Sequence, residues 1–272
     1  MSTNKDTTAT PDELHRQLAY LNLPFMRENV EELARRAAQA QWSHVDFLAR
    51  LVEGEAALHQ DRARQRHVQQ ARFPVLKTLD SFDFTAQPSI NEALVRELMS
   101  GQYIDRKENV LLVGNSGTGK THLATALAFA ACAQGRRARF FTVSGLVTAM
   151  LEAREERQLE RMLRALRHYD LVALDELGYV PFSKAGAELL FEVVSRAYER
   201  QSLIVTTNLP FENWPEVCGS ERLTGAMLDR LTHRVHILEA NGESYRLRQS
   251  RRQLKRQRKT EPASSGQSLA DE

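Results

Sequence analysis

Beyond Phe73, short runs of consecutive apolar residues alternate with longer stretches in which apolar positions recur at every third or fourth residue. That alternation predicts a parallel sheet whose strands are joined by crossover helices. The strand runs are Val110–Val113, Ala138–Val143, Leu171–Leu174, Leu203–Thr207 and Val235–Leu238. They are nearly all apolar, as strands covered by helices on both faces are. The helical stretches between them are Lys120–Ala133, Ser144–His168, Lys184–Glu199 and Arg222–Leu231.

Before Phe73 the pattern is helical only. Thr10-Pro11 has the form of an N-cap and first-turn proline, opening a short helix through Leu18 and Leu21, and a second helical stretch starts near Pro24. Ser43-His44-Val45-Asp46 has the form of a capping box. Behind it Val45, Leu48, Leu51 and Val52 have helical spacing, so a long helix should run toward Arg72. Its far half, Gln60 to Gln70, is polar and basic and reads as a connector. The expected organisation is a small helical N-terminal domain over 1–72 and an α/β domain over 73–247. Residues 248–272 read as a basic run passing into a polar, disordered tail.

Composition narrows the class. A chain of 272 residues has room for one α/β domain and a smaller appendage. Hydrophobic residues at 42% and charged residues at 26% suit a soluble globular protein. The net charge of +2 says little about partners, because a near-neutral total can conceal a basic face. The two cysteines, Cys132 and Cys218, form no CxxC pair, so neither a disulfide framework nor a zinc site is indicated. The leader from Met1 to Pro11 is polar, and no apolar run approaches the roughly 18 residues of a membrane span. A cytoplasmic protein without membrane contact is expected.

The strongest chemical signal is Leu111–Thr121, a strand leading into GxxxxGKT and then into a helical pattern. This context turns a glycine-rich turn into a phosphate-binding loop. Glycines let successive N–H groups point inward at phosphate oxygens, and the following helix presents its positive end to the same anion. Gly114, Asn115, Ser116, Gly117, Thr118, Gly119, Lys120, Thr121 and His122 form the expected nucleotide-binding set. Lys120 should reach the β- and γ-phosphates of ATP, and Thr121 should ligate Mg²⁺. A second signal is Leu171–Glu176, an apolar strand running into two adjacent carboxylates. Such a strand end alone is usually a strand meeting solvent. Beside a phosphate-binding loop, Asp175 is expected to hold the magnesium water shell and Glu176 to polarise the attacking water. The run Leu203–Thr207 delivers Asn208 to the same edge, although an isolated Asn there is more often a turn former.

The segments LLVGNSGTGKTHLA (111–124), LVALDELGY (171–179) and LIVTTNLP (203–210) resemble the Walker A, Walker B and sensor-1 elements of AAA+ ATPases. With ARFPVLKTLDSFDF at 71–84 and MLDRLTHR…SYR at 227–246, the chain resembles the IstB-type helper ATPases of insertion sequences. DnaC-type helicase loaders are the nearest relatives of that family. The resemblance runs from about Leu14 to Arg246 and implies an AAA+ fold with a five-stranded parallel sheet. It also implies an ATP hydrolase that assembles as a ring or helical oligomer on duplex target DNA, remodels it and delivers it to a partner transposase. It gives Asn208 a water-positioning role, Arg246 the sensor-2 position, and Arg230 the finger that reaches a neighbouring subunit's γ-phosphate. Arg222 and Arg234 lie close enough to replace Arg230. Unlike the wider superfamily, the chain leaves too little ordered sequence after Arg246 for a separate helical lid.

Two basic features bear on DNA. If Ser144–His168 is one helix, Arg154, Arg157, Arg161, Arg164 and Arg167 fall within an arc of about 140°, a stripe able to follow a phosphate backbone. Glu152, Glu155, Glu156 and Glu160 neutralise much of it, as on an ordinary solvated helix. In the tail, Arg246, Arg248, Arg251, Arg252, Lys255, Arg256, Arg258 and Lys259 follow one another with no acid between them. Such a run adds affinity without reading bases. A helicase loader is the alternative reading and should prefer single-stranded DNA. A small-molecule P-loop kinase is disfavoured, because the Asp175-Glu176 pair suits hydrolysis.

Overall fold

The computed structural model describes residues 10–179, 181–248 and 250. The chain divides into two compact units between Arg66 and His67. The first contains α1 (Pro11–Tyr20), α2 (Pro24–Ala40) and the first part of α3 (His44–Ala71). Both α1 and α2 begin on a proline, which suits a first turn whose N–H has no intrahelical partner. Thr10 stands at the N-cap of α1 without a side-chain cap bond. The capping box of α3 forms, with Asp46 N–H donating to Ser43 Oγ at 3.1 Å and Ser43 N–H to Asp46 Oδ2 at 3.3 Å. The helices α2 and α3 meet where Gly54 faces Phe25, leaving no room for a side chain at 54. Beside that contact the buried Glu55 accepts the Met26 N–H at 2.9 Å, satisfying a donor that the start of α2 leaves free.

In the second unit the elements run α4 (Glu92–Leu98), α5 (Gln102–Asp105), β1 (Asn109–Gly114), α6 (Lys120–Ala133), β2 (Ala138–Thr142), α7 (Val143–Glu155), α8 (Leu159–Leu166) and β3 (Leu171–Leu177). They continue with α9 (Lys184–Ala197), β4 (Ser202–Thr207), α10 (Trp214–Cys218), α11 (Glu221–Thr232) and β5 (Val235–Ala240). The strands form one sheet in the order β2-β3-β4-β1-β5, with every neighbouring pair parallel. Alternation along each strand feeds two cores. Leu111, Leu174 and Val205 pack with α7, α9 and α11, while Val110, Leu112 and Ile204 pack with α6 and α4. Among the described residues no helix is long and apolar enough to cross a membrane.

The single helix expected over Ser144–His168 is two helices. Glu156 ends α7, Arg157 follows in the left-handed region at φ +58°, and α8 restarts at Leu159. The Gln158 N–H returns to the Ala153 carbonyl and the Arg157 N–H to the Arg154 carbonyl. This is the paired closure of a Schellman ending, usually built on glycine. The five arginines therefore do not form one helical stripe. Arg154 belongs to α7, Arg157 to the break, Arg161 and Arg164 to α8, and Arg167 to its C-cap. The basic positions Arg251, Arg252, Lys255, Arg256, Arg258 and Lys259, the polar tail after them, and the leader before Thr10 lie outside the described residues.

Candidate functional site

At the carboxyl edge of the sheet, β1 ends on Gly114 and the chain curls back into α6 at Lys120. The curl depends on glycine: Gly117 and Gly119 have φ of +78° and +96°, where an L side chain costs about 1–2 kcal/mol. Close packing reinforces the requirement, since a Cβ would lie 2.2 Å from Ser244 Oγ at 117 and 2.6 Å from the Phe82 ring at 119. The loop and the strand ends enclose a cavity of about 570 Å³. Ser116, Gly117, Thr118, Gly119, Lys120, Thr121 and His122 line it, as do Asp175, Glu176, Asn208 and Arg246. Gly114 and Asn115 are not on its wall. They act through their carbonyls, which accept from Lys120 Nζ at 2.7 and 2.6 Å, and Thr118 Oγ1 donates to Asn115 as well.

The charged groups of the cavity perturb one another. Burial lowers the Lys120 ammonium below the usual lysine range; Asp175 and Glu176 pull it upward and Arg246 pulls it down. Burial pushes the Asp175 carboxyl above the usual carboxylate range, opposed by hydrogen bonds from Thr206 and Thr121 and by the Lys120 charge. Thr206 Oγ1 donates to Asp175 Oδ1 at 2.6 Å and Thr121 Oγ1 donates to the same oxygen at 3.0 Å.

The strand carrying these carboxylates does not end at Leu174. It continues to Leu177 through a register shift, pairing Leu174 with Val205 and Leu177 with Thr207. Asp175 and Glu176 thus stand opposite the single residue Thr206, the arrangement of a β-bulge. Glu176 takes φ +63° and its side chain is exposed, whereas Asp175 is only 3% exposed. A regular strand would send two successive side chains to opposite faces. The bulge instead lets both line one cavity.

Two segments that carry part of the family resemblance, but no phosphate-binding pattern, complete the wall. Residues 74–87 cross the loop, and Phe82 meets His122 edge-on at 5.2 Å between ring centres. His122 Nε2 lies 2.9 Å from the Thr78 carbonyl, to which it donates. From the other side, residues 241–248 fold over the loop. Tyr245 N–H donates to the Gly117 carbonyl at 2.9 Å, Gln87 Nε2 to the Glu243 carbonyl at 2.8 Å, and Asn241 N–H to Ser89 Oγ at 3.1 Å. These bonds hold Arg246 at the cavity. Arg230 stands outside it on α11, donating to the Ala226 carbonyl at 2.7 Å with its guanidinium 4.8 Å from the centre of the Phe191 ring.

Chemically the site offers loop amides and a helix start for phosphates, and a partly buried ammonium beside them. A hydroxyl–carboxylate oxygen pair suits a hard divalent cation. Glu176 adds a carboxylate able to accept a proton from water.

The family model described as IstB-like ATP binding protein matches residues 16–253. The chain is 40% identical over 247 residues to an ATP-binding protein of insertion sequence IS5376 from Geobacillus stearothermophilus, covering 91% of this chain and 98% of the relative. It is 39% identical over 240 residues to an ATP-binding protein of insertion sequence IS21 from Pseudomonas aeruginosa, covering 88% and 91%. Among solved structures, replication initiator DnaA bound to AMPPCP and single-stranded DNA is similar at a TM-score of 0.51. The two share 20% identity over 68% of this chain and 56% of that one, a likeness of fold.

Proposed function

From the premise that this chain belongs to the IstB-like ATP-binding protein family, an AAA+ P-loop ATP hydrolase, we propose that it is a transposition helper. In this reading it oligomerises on duplex target DNA, remodels it, and delivers it to a partner transposase under control of ATP hydrolysis. The family and its insertion-sequence relatives motivate the role, and the observation in the site that supports its assembly-dependent part is the contrast between Arg246, on the cavity wall, and Arg230, outside it on α11. A cation so placed fits a finger supplied to a neighbouring copy, which makes hydrolysis conditional on assembly.

Thr121 and Asp175 would hold Mg²⁺. Their oxygens already share one hydrogen bond and are of the hard type that this ion prefers. Bound there, the ion would supply positive charge to offset that of the phosphates. Lys120 binds phosphate, Glu176 accepts the proton of the attacking water, Asn208 orients that water, and Arg246 senses the bound nucleotide. The helical unit and the tail after 247 supply partner, DNA or self-association contacts. Arg154, Arg157, Arg161, Arg164 and Arg167 would reach phosphates from two short helices and the break and cap that flank them rather than from one stripe. Electron microscopy with duplex DNA and a slowly hydrolysed ATP analogue tests the reading. Rings or helical filaments on duplex support it. Isolated monomers, or assembly on single-stranded DNA alone, would sink it, and the second outcome favours a helicase loader.

A further inference from the structure

We propose that Thr206 is the positioning residue of the hydrolytic site, its single hydroxyl setting the aim of Glu176. The proposal rests on the reading of Glu176 as the group that accepts the water's proton. Thr206 is 2% exposed, in a strand otherwise built from buried residues. A buried hydroxyl needs partners for both its proton and its lone pairs. Here the proton goes to Asp175 Oδ1 at 2.6 Å, and the oxygen accepts the Glu176 N–H at 2.9 Å. One atom therefore grips two consecutive residues of the neighbouring strand.

The bulge explains why this grip matters. Two residues of β3 oppose one of β4, so the ladder leaves one β3 residue without its regular partner. The Glu176 N–H finds an acceptor in the Thr206 side chain instead. Glu176 also holds a left-handed backbone, which persists in a residue with a Cβ only where the surroundings enforce it. The Thr206 bond is such an enforcement. Without the hydroxyl, the Glu176 amide loses its acceptor and the backbone can relax toward a regular strand, which turns alternate side chains to opposite faces. The carboxylate would then swing from the cavity while Asp175 keeps its second bond, from Thr121.

Valine has the shape of threonine without the hydroxyl, so Thr206→Val is the informative variant. Thr206→Ala relieves any crowding, and Thr206→Ser restores the hydroxyl. Each is made in the full chain, alone and with Glu176→Gln. Steady-state kcat and KM for ATP are measured, together with equilibrium binding of a slowly hydrolysed ATP analogue in the presence of Mg²⁺. Thr206→Val and Thr206→Ala should lower kcat by about 100-fold, the scale of a misplaced reacting group, with analogue binding unchanged. Thr206→Ser should recover most of the rate, and Thr206→Val should cost nothing further in the Glu176→Gln background. Wild-type kcat in Thr206→Val overturns the proposal. So does an equal fold-loss in the Glu176→Gln background, or a loss confined to analogue binding, which would place the effect on Asp175. Normal turnover by Glu176→Gln alone would instead remove the parent reading, a separate and recognisable outcome.

Discussion

Lys120 Nζ donates to the Asn115 carbonyl at 2.6 Å, so the cation of the phosphate-binding loop is held by the backbone of that same loop. The contact keeps the ammonium at the cavity wall despite the cost of its burial. Phosphate oxygens would replace neutral carbonyls with charged acceptors, a stronger partner for the same group. Lys120→Ala removes that gain and leaves the loop glycines in place. ATP affinity should fall by about 2–3 kcal/mol, roughly 30- to 150-fold, in a protein with unchanged circular dichroism. Undiminished affinity by titration with a fluorescent ATP analogue would show that Lys120 does not face the phosphates.

Glu176→Gln separates binding from hydrolysis. Glutamine keeps the size and hydrogen-bonding reach of the side chain and cannot take a proton from water. Thr121 and Asp175 are untouched, so nucleotide should still bind. Turnover should drop by about 100- to 10,000-fold, the span assigned to a lost general base. ATP should then persist on the protein and trap whatever assembly it supports. Measurement of kcat alongside bound ATP after filtration decides the matter, and turnover near the wild-type rate would move the base elsewhere.

A stability prediction concerns Asn109, at the opposite end of β1 from the phosphate loop. Its side chain is buried and bonded at both of its polar atoms: Nδ2 donates to the Leu231 carbonyl and Oδ1 accepts the Leu203 N–H, each at 3.0 Å. One amide thus ties the start of β4 to the last turn of α11, the helix that bears Arg230. Asn109→Ala strands both backbone groups away from water. The loss should be about 2–4 kcal/mol, read as a lower denaturant midpoint for the ATPase unit. A midpoint within error of wild type would mean that water or a backbone shift satisfies both groups.

What could be read from the residues follows from the range of the interactions. The phosphate loop was legible because a strand, a glycine-rich turn and a helix are local and consecutive, and the central strands β3 and β4 were legible because burial on both faces leaves an apolar run. The edge strand β5, by contrast, is apolar in sequence yet half-exposed, with Ile237 42% exposed. The break between α7 and α8 was not, because its left-handed residue is Arg157 where glycine is the usual sign. The bulge at Asp175 and Glu176 depends on the register of β3 against β4, which no local pattern reveals. Phe82 and Ser244 reach the loop from distant parts of the chain. The resemblance marks the runs that hold them, but what they touch is set by tertiary approach.

Arg230 carries the last prediction. On α11 its guanidinium is occupied within its own chain, bonded to the Ala226 carbonyl and set against Phe191, and it lies outside the cavity that Arg246 lines. A finger acting on a neighbouring copy would leave these weak local partners for the charge developing on a transferred phosphoryl group. Duplex DNA should then stimulate hydrolysis by gathering subunits, with activity rising more steeply than linearly in protein concentration and falling with salt. Arg230→Ala should bind ATP normally and lose the stimulated rate, by about 1,000-fold or more if the finger is of ordinary strength. Mixing Arg230→Ala with Lys120→Ala is the decisive measurement. At ATP concentrations too low to fill Lys120→Ala, neither should show the stimulated rate alone, yet an interface that joins Lys120 of one chain to Arg230 of the other would rebuild a complete site. Recovery of ATPase activity at intermediate mixing ratios is the expected result. Mixtures that co-assemble on DNA and stay inactive at every ratio would dismiss Arg230 as the finger and turn attention to Arg222 and Arg234.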